Sequence, residues 1–165
     1  KRAAIYMGGA AKALTLIKGF RELGMEVVII GTQTGKKDEY LQISYEVKDG
    51  TVIVDDANPL ELAELLVKQK ADLMVAGVKE RFLAYKTGVA FCDFNHDRVV
   101  EFEGFEGFLN FAREMDSSIN SPVWKTAKSN IRDSVGNRAI KAEKVPGTHI
   151  ENLHEDAAII RGMEA

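Results

Sequence analysis

Short apolar segments recur along the chain and constrain its fold more than any other feature of the sequence. Five of them, at 3–7, 27–30, 51–54, 72–76 and 89–91, have the length of a strand. Their apolar residues are continuous rather than alternating, which is typical of strands covered on both faces. Segments with apolar residues at helical spacing separate them. This order predicts an α/β fold, in which a doubly wound parallel sheet carries helices on both faces and has right-handed crossovers.

Helix boundaries are predicted from residues that favour helix ends. Gly24 is expected to end the first helix, Asp38 to cap a helix over 39–46, and Asn58 to cap a helix that has Pro59 in its first turn. A short helix is expected over 79–86, and a longer one over 103–115 that buries one apolar face. The predicted core residues of that last helix are Phe105, Phe108, Leu109, Phe111 and Ala112.

Composition and charge narrow the class of protein. The chain has 165 residues, of which 45% are hydrophobic, enough for one core of domain size. Its net charge of −3 disfavours a general nucleic-acid binder. No apolar run is long enough to span a membrane. The single cysteine, Cys92, cannot form an internal disulfide, and a reducing cytoplasm is the expected location.

The sequence divides into two parts of different character. Residues 1–124 carry the pattern of strands and helices, whereas 125–165 are mostly polar with a weak apolar set near the end. We expect one domain over 1–124 and a polar C-terminal extension over 125–165 that is partly helical or disordered. Because the chain opens on Lys1 at the mouth of a predicted strand, we interpret it as a piece of a longer protein.

The loops beyond the carboxyl ends of the strands are the candidate site, because ligands bind there in open parallel sheets. Two glycines follow the first strand, where backbone N–H groups can approach a ligand and the next helix turns its positive end the same way. Basic side chains nearby add positive charge. The sequence therefore predicts an edge that binds anions, with the candidate residues Gly8, Gly9, Lys12, Lys79, Glu80, Arg81, Asn95 and His96.

Each of these features also has a plain structural explanation. Residues 8–9 can form only a tight turn, 78–81 only a solvated helix start, and 95–96 only a turn. The paired acids at 55–56 either begin the next helix or bind a metal ion. The turn after the first strand lacks the G-x-G-x-x-G pattern, which disfavours dinucleotide binding.

A set of motifs resembles one known family over about residues 1–124. They resemble the C-terminal domain of the α-type subunits of nitrogenase component 1. These motifs are IYMGG at 5–9, LGMEVV at 23–28, VDD at 54–56, GVKER at 77–81, GVAF at 88–91 and GFEGFLNFARE at 104–114. Others are similar to the branch of that family on which the iron–molybdenum cofactor is assembled. They are GGAAKA at 8–13, GTQTG at 31–35, NPLEL at 58–62, FCDFNH at 91–96 and SPVW at 121–124.

This resemblance implies a Rossmann-like domain, the last of three in its subunit, and a scaffold function. The scaffold would hold an iron–sulfur precursor while molybdenum and homocitrate are added, and then release the product. The implied partners are a β-type subunit, NifN, in an α2β2 complex, the nitrogenase iron protein NifH and the cofactor donor NifB. A [4Fe–4S] cluster would be held by cysteines outside this chain. Two alternatives stay open: the α subunit of a catalytic nitrogenase or related reductase, and a phosphate- or nucleotide-binding module.

The resemblance also implies roles for individual residues. Asn95 takes the place of the histidine that binds the cofactor in catalytic subunits, and His96 follows one position later. A neutral carboxamide is a poorer ligand than imidazole for a soft or borderline metal, which suits a carrier that releases its cargo. Lys79 matches a lysine that lies beside the homocitrate. Ala11 stands where catalytic subunits have an arginine, with Lys12 next to it, so this loop is smaller and less cationic.

Overall fold

A five-stranded sheet, in which all strands run parallel, forms the centre of the structure. This computed structural model describes residues 1–94, 100–102 and 104–124. The strands are β1 (Arg2–Met7), β2 (Glu26–Thr32), β3 (Val52–Asp55), β4 (Leu73–Ala76) and β5 (Ala90–Asp93). They lie in the order β3-β2-β1-β4-β5, with parallel pairing throughout. The predicted α/β fold class is confirmed, and every predicted strand is present.

Helices cover both faces of the sheet. The helices are α1 (Ala10–Glu22), α2 (Lys37–Glu46), α3 (Pro59–Lys68), a 3-10 turn (Val78–Glu80), α4 (Arg81–Thr87) and α5 (Gly104–Asn120). The core beside α1, α2 and α5 includes Ile17, Ile43 and Phe111, and the opposite core, beside α3 and α4, includes Leu66 and Ala84. After β3 the chain returns to the other side of β1, so right-handed crossovers place α3 and α4 on the opposite face from α1 and α2.

Strand β1 contributes to both cores because its side chains alternate between the two faces. Ile5 and Met7 lie in the core beside α1, whereas Ala4 and Tyr6 lie in the core beside α3. All of these residues are at most 4% exposed. Burial on both faces explains the continuous apolar run in the sequence.

One predicted helix cap is confirmed and one is wrong. Asn58 caps α3, and its Oδ1 accepts hydrogen bonds from the backbone N–H groups of Leu60 and Glu61, each at 3.0 Å. Asp38 does not cap α2, which begins at Lys37. Instead, the carboxylate of Glu39 accepts a hydrogen bond from the Lys36 N–H at 2.8 Å. An acid at the third helical position can reach back in this way, so the helix begins earlier than the aspartate indicates.

The predicted core face of the last helix is wrong in part. Phe111 is buried as expected, but Phe105 is 98% exposed and Leu109 is 55% exposed. The buried stripe instead includes Gly107 and Met115, spaced four residues to either side of Phe111. The aromatic residues recur every three positions, which falls about 60° short of a helical turn at each step. A row with that spacing drifts around the helix and cannot all face the core.

The close packing of α5 has a steric cause at Gly107. A Cβ atom there would lie 2.5 Å from the backbone carbon of Phe102, so only glycine lets the helix approach this segment. Phe111 then contacts the rings of Phe20 and Phe102, with ring centroids 5.4 and 5.6 Å apart. The proposed extension over 125–165 lies outside the described residues.

We predict that Phe111→Ala lowers the free energy of unfolding by about 3–5 kcal/mol, the usual result of emptying an aromatic core position. Phe105→Ala is the matched control on the same helix. Because its ring is exposed, we expect a change of less than about 0.5 kcal/mol. Urea unfolding followed by circular dichroism measures both values. Equal losses for the two variants would contradict the described packing of α5.

Candidate functional site

The carboxyl ends of the five parallel strands lie along one edge of the sheet. The strand order reverses between β1 and β4, because the chain continues from β1 to β2 on one side and reaches β4 only after β3. Ligands of open α/β sheets bind at this kind of switch point. Tyr6 pairs with Ala76 across these two strands, so the turn at 8–9 and the turn at 77–80 begin side by side.

The Gly8–Gly9 turn leads from β1 into α1. A Cβ atom on either glycine would have no atom within 4 Å. Neither residue has a positive φ, and Gly9 is extended, with φ −148° and ψ 153°. Neither the backbone conformation nor the packing therefore requires glycine here. Gly9 caps α1 without a side-chain hydrogen bond, so no capping side chain covers the N–H groups of the first turn.

Basic side chains lie on both sides of this switch point. Lys12 is exposed on the first turn of α1, and Lys79 is exposed in the 3-10 turn after β4. Arg81 forms an ion pair with β5, in which its guanidinium lies 3.8 Å from the carboxylate of Asp93. The same group lies 5.7 Å from the centroid of the Phe91 ring. These two contacts pack the Arg81 side chain against β5.

Two predicted site residues, Asn95 and His96, lie outside the described residues. The last described residue before them is Phe94, at the carboxyl end of β5. Its N–H donates a hydrogen bond to the carbonyl of Ala76 at 3.1 Å, so the chain still runs beside β4 at this point.

A hydrogen-bonded group that the sequence analysis missed joins β2, α2 and β3. The hydroxyl of Tyr40 donates to Oδ1 of Asp55 at 2.5 Å and lies 2.6 Å from Oγ1 of Thr32. Burial, followed by the bond to Asp55, raises the pKa of Tyr40 to about 12, although the bond to Thr32 acts in the other direction. No sequence motif links these residues, because only the pairing of β2 with β3 brings them together. Asp55, considered above as a metal ligand or helix-entry residue, serves here as a hydrogen-bond acceptor.

Tyr6 lies near the same edge of the sheet, and nearby carboxylates affect the pKa of its hydroxyl. Its hydroxyl donates to the carbonyl of Ala57 at 3.0 Å. Burial is the main reason that the pKa of Tyr6 is raised, and the carboxylates of Asp56 and Glu80 raise it further. The partly buried carboxylate of Glu80, a predicted site residue, is therefore close enough to influence Tyr6 electrostatically.

The part of the chain that the structure describes does not assemble a metal-ligand set. Within it, no group of three or more histidine, cysteine, aspartate and glutamate side chains is placed to hold a metal ion. Cys92 is 2% exposed and packs in the core beside α1. The turns after β1 and β4 offer backbone N–H groups and lysine ammonium groups, which bind anions. No helix within the described ranges is long and apolar enough to cross a membrane.

Comparison with known proteins identifies the family. The family model described as nitrogenase component 1 type oxidoreductase matches residues 1–120. The chain belongs to this family. The solved structure "Nitrogenase Cp1 at pH 6.5" has a TM-score of 0.63, with 22% sequence identity over 76% of this chain and 34% of that chain. At this identity the match shows a shared fold.

Relatives of this nitrogenase component 1 type chain include cofactor biosynthesis proteins and alpha chains of the molybdenum-iron protein. The nitrogenase iron-molybdenum cofactor biosynthesis protein NifE of Methanosarcina barkeri is 82% identical over 131 residues, which are 79% of this chain and 28% of that protein. NifE of Clostridium pasteurianum is 60% identical over 124 residues, 75% of this chain and 27% of that protein. The nitrogenase molybdenum-iron protein alpha chain of Bradyrhizobium sp. (strain ANU 289) is 35% identical over 145 residues, 87% of this chain and 29% of that protein. The chain thus spans less than a third of the length of these relatives.

We predict that alanine substitution lowers the free energy of unfolding at one glycine of this region and leaves it nearly unchanged at another. In Gly31→Ala the new Cβ would lie 2.3 Å from the ring of Tyr6 and 2.9 Å from Val54, and such overpacking costs about 1–3 kcal/mol of unfolding free energy. Gly8→Ala meets open space at a negative φ, so its loss should stay below about 0.5 kcal/mol. Urea unfolding of the two variants provides the test. A loss in Gly8→Ala as large as in Gly31→Ala would mean that folding itself requires this glycine.

Proposed function

We propose that this chain is the C-terminal part of a scaffold subunit on which the nitrogenase iron–molybdenum cofactor is assembled. The scaffold holds an iron–sulfur precursor while molybdenum and homocitrate are added, and then releases the product. The observation that carries this proposal is the 82% identity to a protein named for iron-molybdenum cofactor biosynthesis. Identity to the nitrogenase molybdenum-iron protein alpha chains of Methanothermobacter thermautotrophicus and Bradyrhizobium sp. is lower, at 48% and 35%.

The switch-point edge is the part of the chain that covers one side of the cargo. The open turn at Gly8 and Gly9 allows close approach of the backbone to a ligand. Exposed Lys12 and Lys79 supply positive charge for a polyanionic cargo. Glu80 and Arg81 follow Lys79 and lead from the 3-10 turn into α4.

Asn95 and His96, which follow β5 in the sequence, complete the proposed set. By family resemblance, Asn95 stands where a catalytic subunit has the histidine that ligates the cofactor. A carboxamide forms a weaker bond than imidazole to a soft or borderline metal, so the cargo leaves more readily.

A scaffold of this kind acts as a complex. The proposed partners are the β-type subunit NifN in an α2β2 assembly, the iron protein NifH and the precursor donor NifB, with a [4Fe–4S] cluster ligated outside this chain. Large exposed apolar side chains support contacts with further domains or subunits, including Phe105 at 98%, Leu60 at 67% and Phe82 at 65% exposure. A location in the reducing cytoplasm, expected from the single cysteine, stays a prediction.

The decisive experiment uses the full-length parent chain, co-expressed with its β-type partner and purified without oxygen. Metal analysis and an activation assay with cofactor-free nitrogenase are the two readouts. We expect iron in the complex, and activation that requires added molybdate, homocitrate and the iron protein. Molybdenum already bound, together with substrate reduction by the complex itself, would instead establish a catalytic α subunit. Absence of iron with binding of a nucleotide would favour a nucleotide-binding module.

We predict that Asn95→His slows release of the mature cofactor from the full-length complex, because imidazole binds a soft or borderline metal more strongly than a carboxamide does. Asn120→His is the matched control, since Asn120 is exposed at the end of α5. Transfer of labelled molybdenum from the loaded complex to cofactor-free nitrogenase measures release. Equal transfer rates for the two variants would contradict the role given to Asn95.

A further inference from the structure

The turn at Gly8 and Gly9 is held by the neighbouring strand. At the end of the β1–β2 ladder the N–H of Gln33 donates to the carbonyl of Met7 at 3.1 Å. One residue further along the chain from each of these, the hydroxyl of Thr34 donates a hydrogen bond to the carbonyl of Gly8. The Thr34 hydroxyl thus anchors the first peptide unit of a turn in which two consecutive glycines give the backbone unusual freedom.

This hydrogen bond fixes the direction of one backbone N–H. No peptide bond among the described residues is cis. The carbonyl of Gly8 and the N–H of Gly9 therefore belong to a trans peptide unit and point in opposite directions. The carbonyl points toward Thr34 at the end of β2. The N–H of Gly9 is therefore directed away from Thr34, and β4 lies on the side of β1 opposite to β2.

We propose that Thr34 is a positioning residue that directs the Gly9 N–H into the crevice between the turns after β1 and β4. The inference rests on the proposed function, because the crevice matters only if anionic cargo binds there. It adds a residue and a mechanism to that site. An N–H group already held in one direction loses less freedom when an anion binds, and such preorganisation strengthens binding.

Thr34 can act in this way because its own loop is braced. The Thr32 carbonyl accepts a hydrogen bond from the N–H of Asp56 at 2.9 Å, and the Thr32 side chain is linked to Tyr40. Gly35 packs so closely that a Cβ atom would lie 2.3 Å from Oγ1 of Thr32 and 2.5 Å from the ring of Tyr40. The residues on both sides of Thr34 are therefore held in place, which leaves the hydroxyl a defined position.

The test compares three variants of the full-length complex with its β-type partner. Thr34→Val removes the hydroxyl and keeps the side-chain shape, and Thr34→Ser restores a hydroxyl. Thr15→Val is the matched control, because the Thr15 hydroxyl bonds to the carbonyl of Ala11 within α1. Amide hydrogen exchange of peptides covering 7–13 is measured without cargo, and the rate of iron–sulfur precursor loss is measured with cargo.

We expect Thr34→Val to speed both exchange of the turn and loss of the precursor by about fivefold, the factor for one typical hydrogen bond. Thr34→Ser and Thr15→Val should stay within about twofold of the parent protein on the same scale. Unchanged exchange in Thr34→Val would overturn the proposal. Faster exchange with unchanged precursor loss, or a serine variant as impaired as the valine variant, would also overturn it.

Failure of the underlying function has a separate signature. A parent complex that carries no iron–sulfur precursor would refute the scaffold function, and the role of Thr34 in cargo binding would be refuted with it. Hydrogen exchange would still report in that case whether the Thr34 hydroxyl fixes the turn, since this readout requires no cargo.

Discussion

Burial of β1 between two neighbouring strands and two helical layers is the constraint on which the rest of the structure depends. Residues 3–7 are at most 4% exposed, and β1 pairs with β2 on one side and β4 on the other. Because the sheet order reverses beside it, the turn that follows β1 must emerge at the switch point. The apolar run that builds the core therefore also places Gly8 and Gly9 at the candidate site.

The features that the sequence predicts well are those with a local or periodic cause. Burial on both faces requires continuous apolar strands, and the sequence predicts all five. The sequence also predicts the cap at Asn58, because an N-cap acts within three residues. The errors have equally physical causes. The helical face of Phe105 depends on which stripe packs on the sheet, and a spacing of three residues does not define that stripe.

Contacts between distant elements could not be predicted from the sequence. Tyr40 and Asp55 are fifteen residues apart and meet only because β2 pairs with β3 and α2 packs above that pair. The hydrogen bond from Thr34 to Gly8 spans twenty-six residues and depends on the register of β1 and β2 in the same way. The candidate edge follows from topology alone, whereas the groups that shape it require the three-dimensional structure.

The glycines show why a residue type alone does not define a role. Gly31 leaves room for the ring of Tyr6, and Gly88 ends α4 with a φ of 69°. Gly8 and Gly9 have neither a close neighbour that excludes a side chain nor a positive φ, so the fold does not explain why these positions are glycine. Under the proposed function the explanation is the cargo, for which a bare backbone and lysine ammonium groups offer attraction without a metal–ligand bond. A carrier must release what it holds, and hydrogen bonds and charge contacts break more readily than metal bonds to imidazole or thiolate.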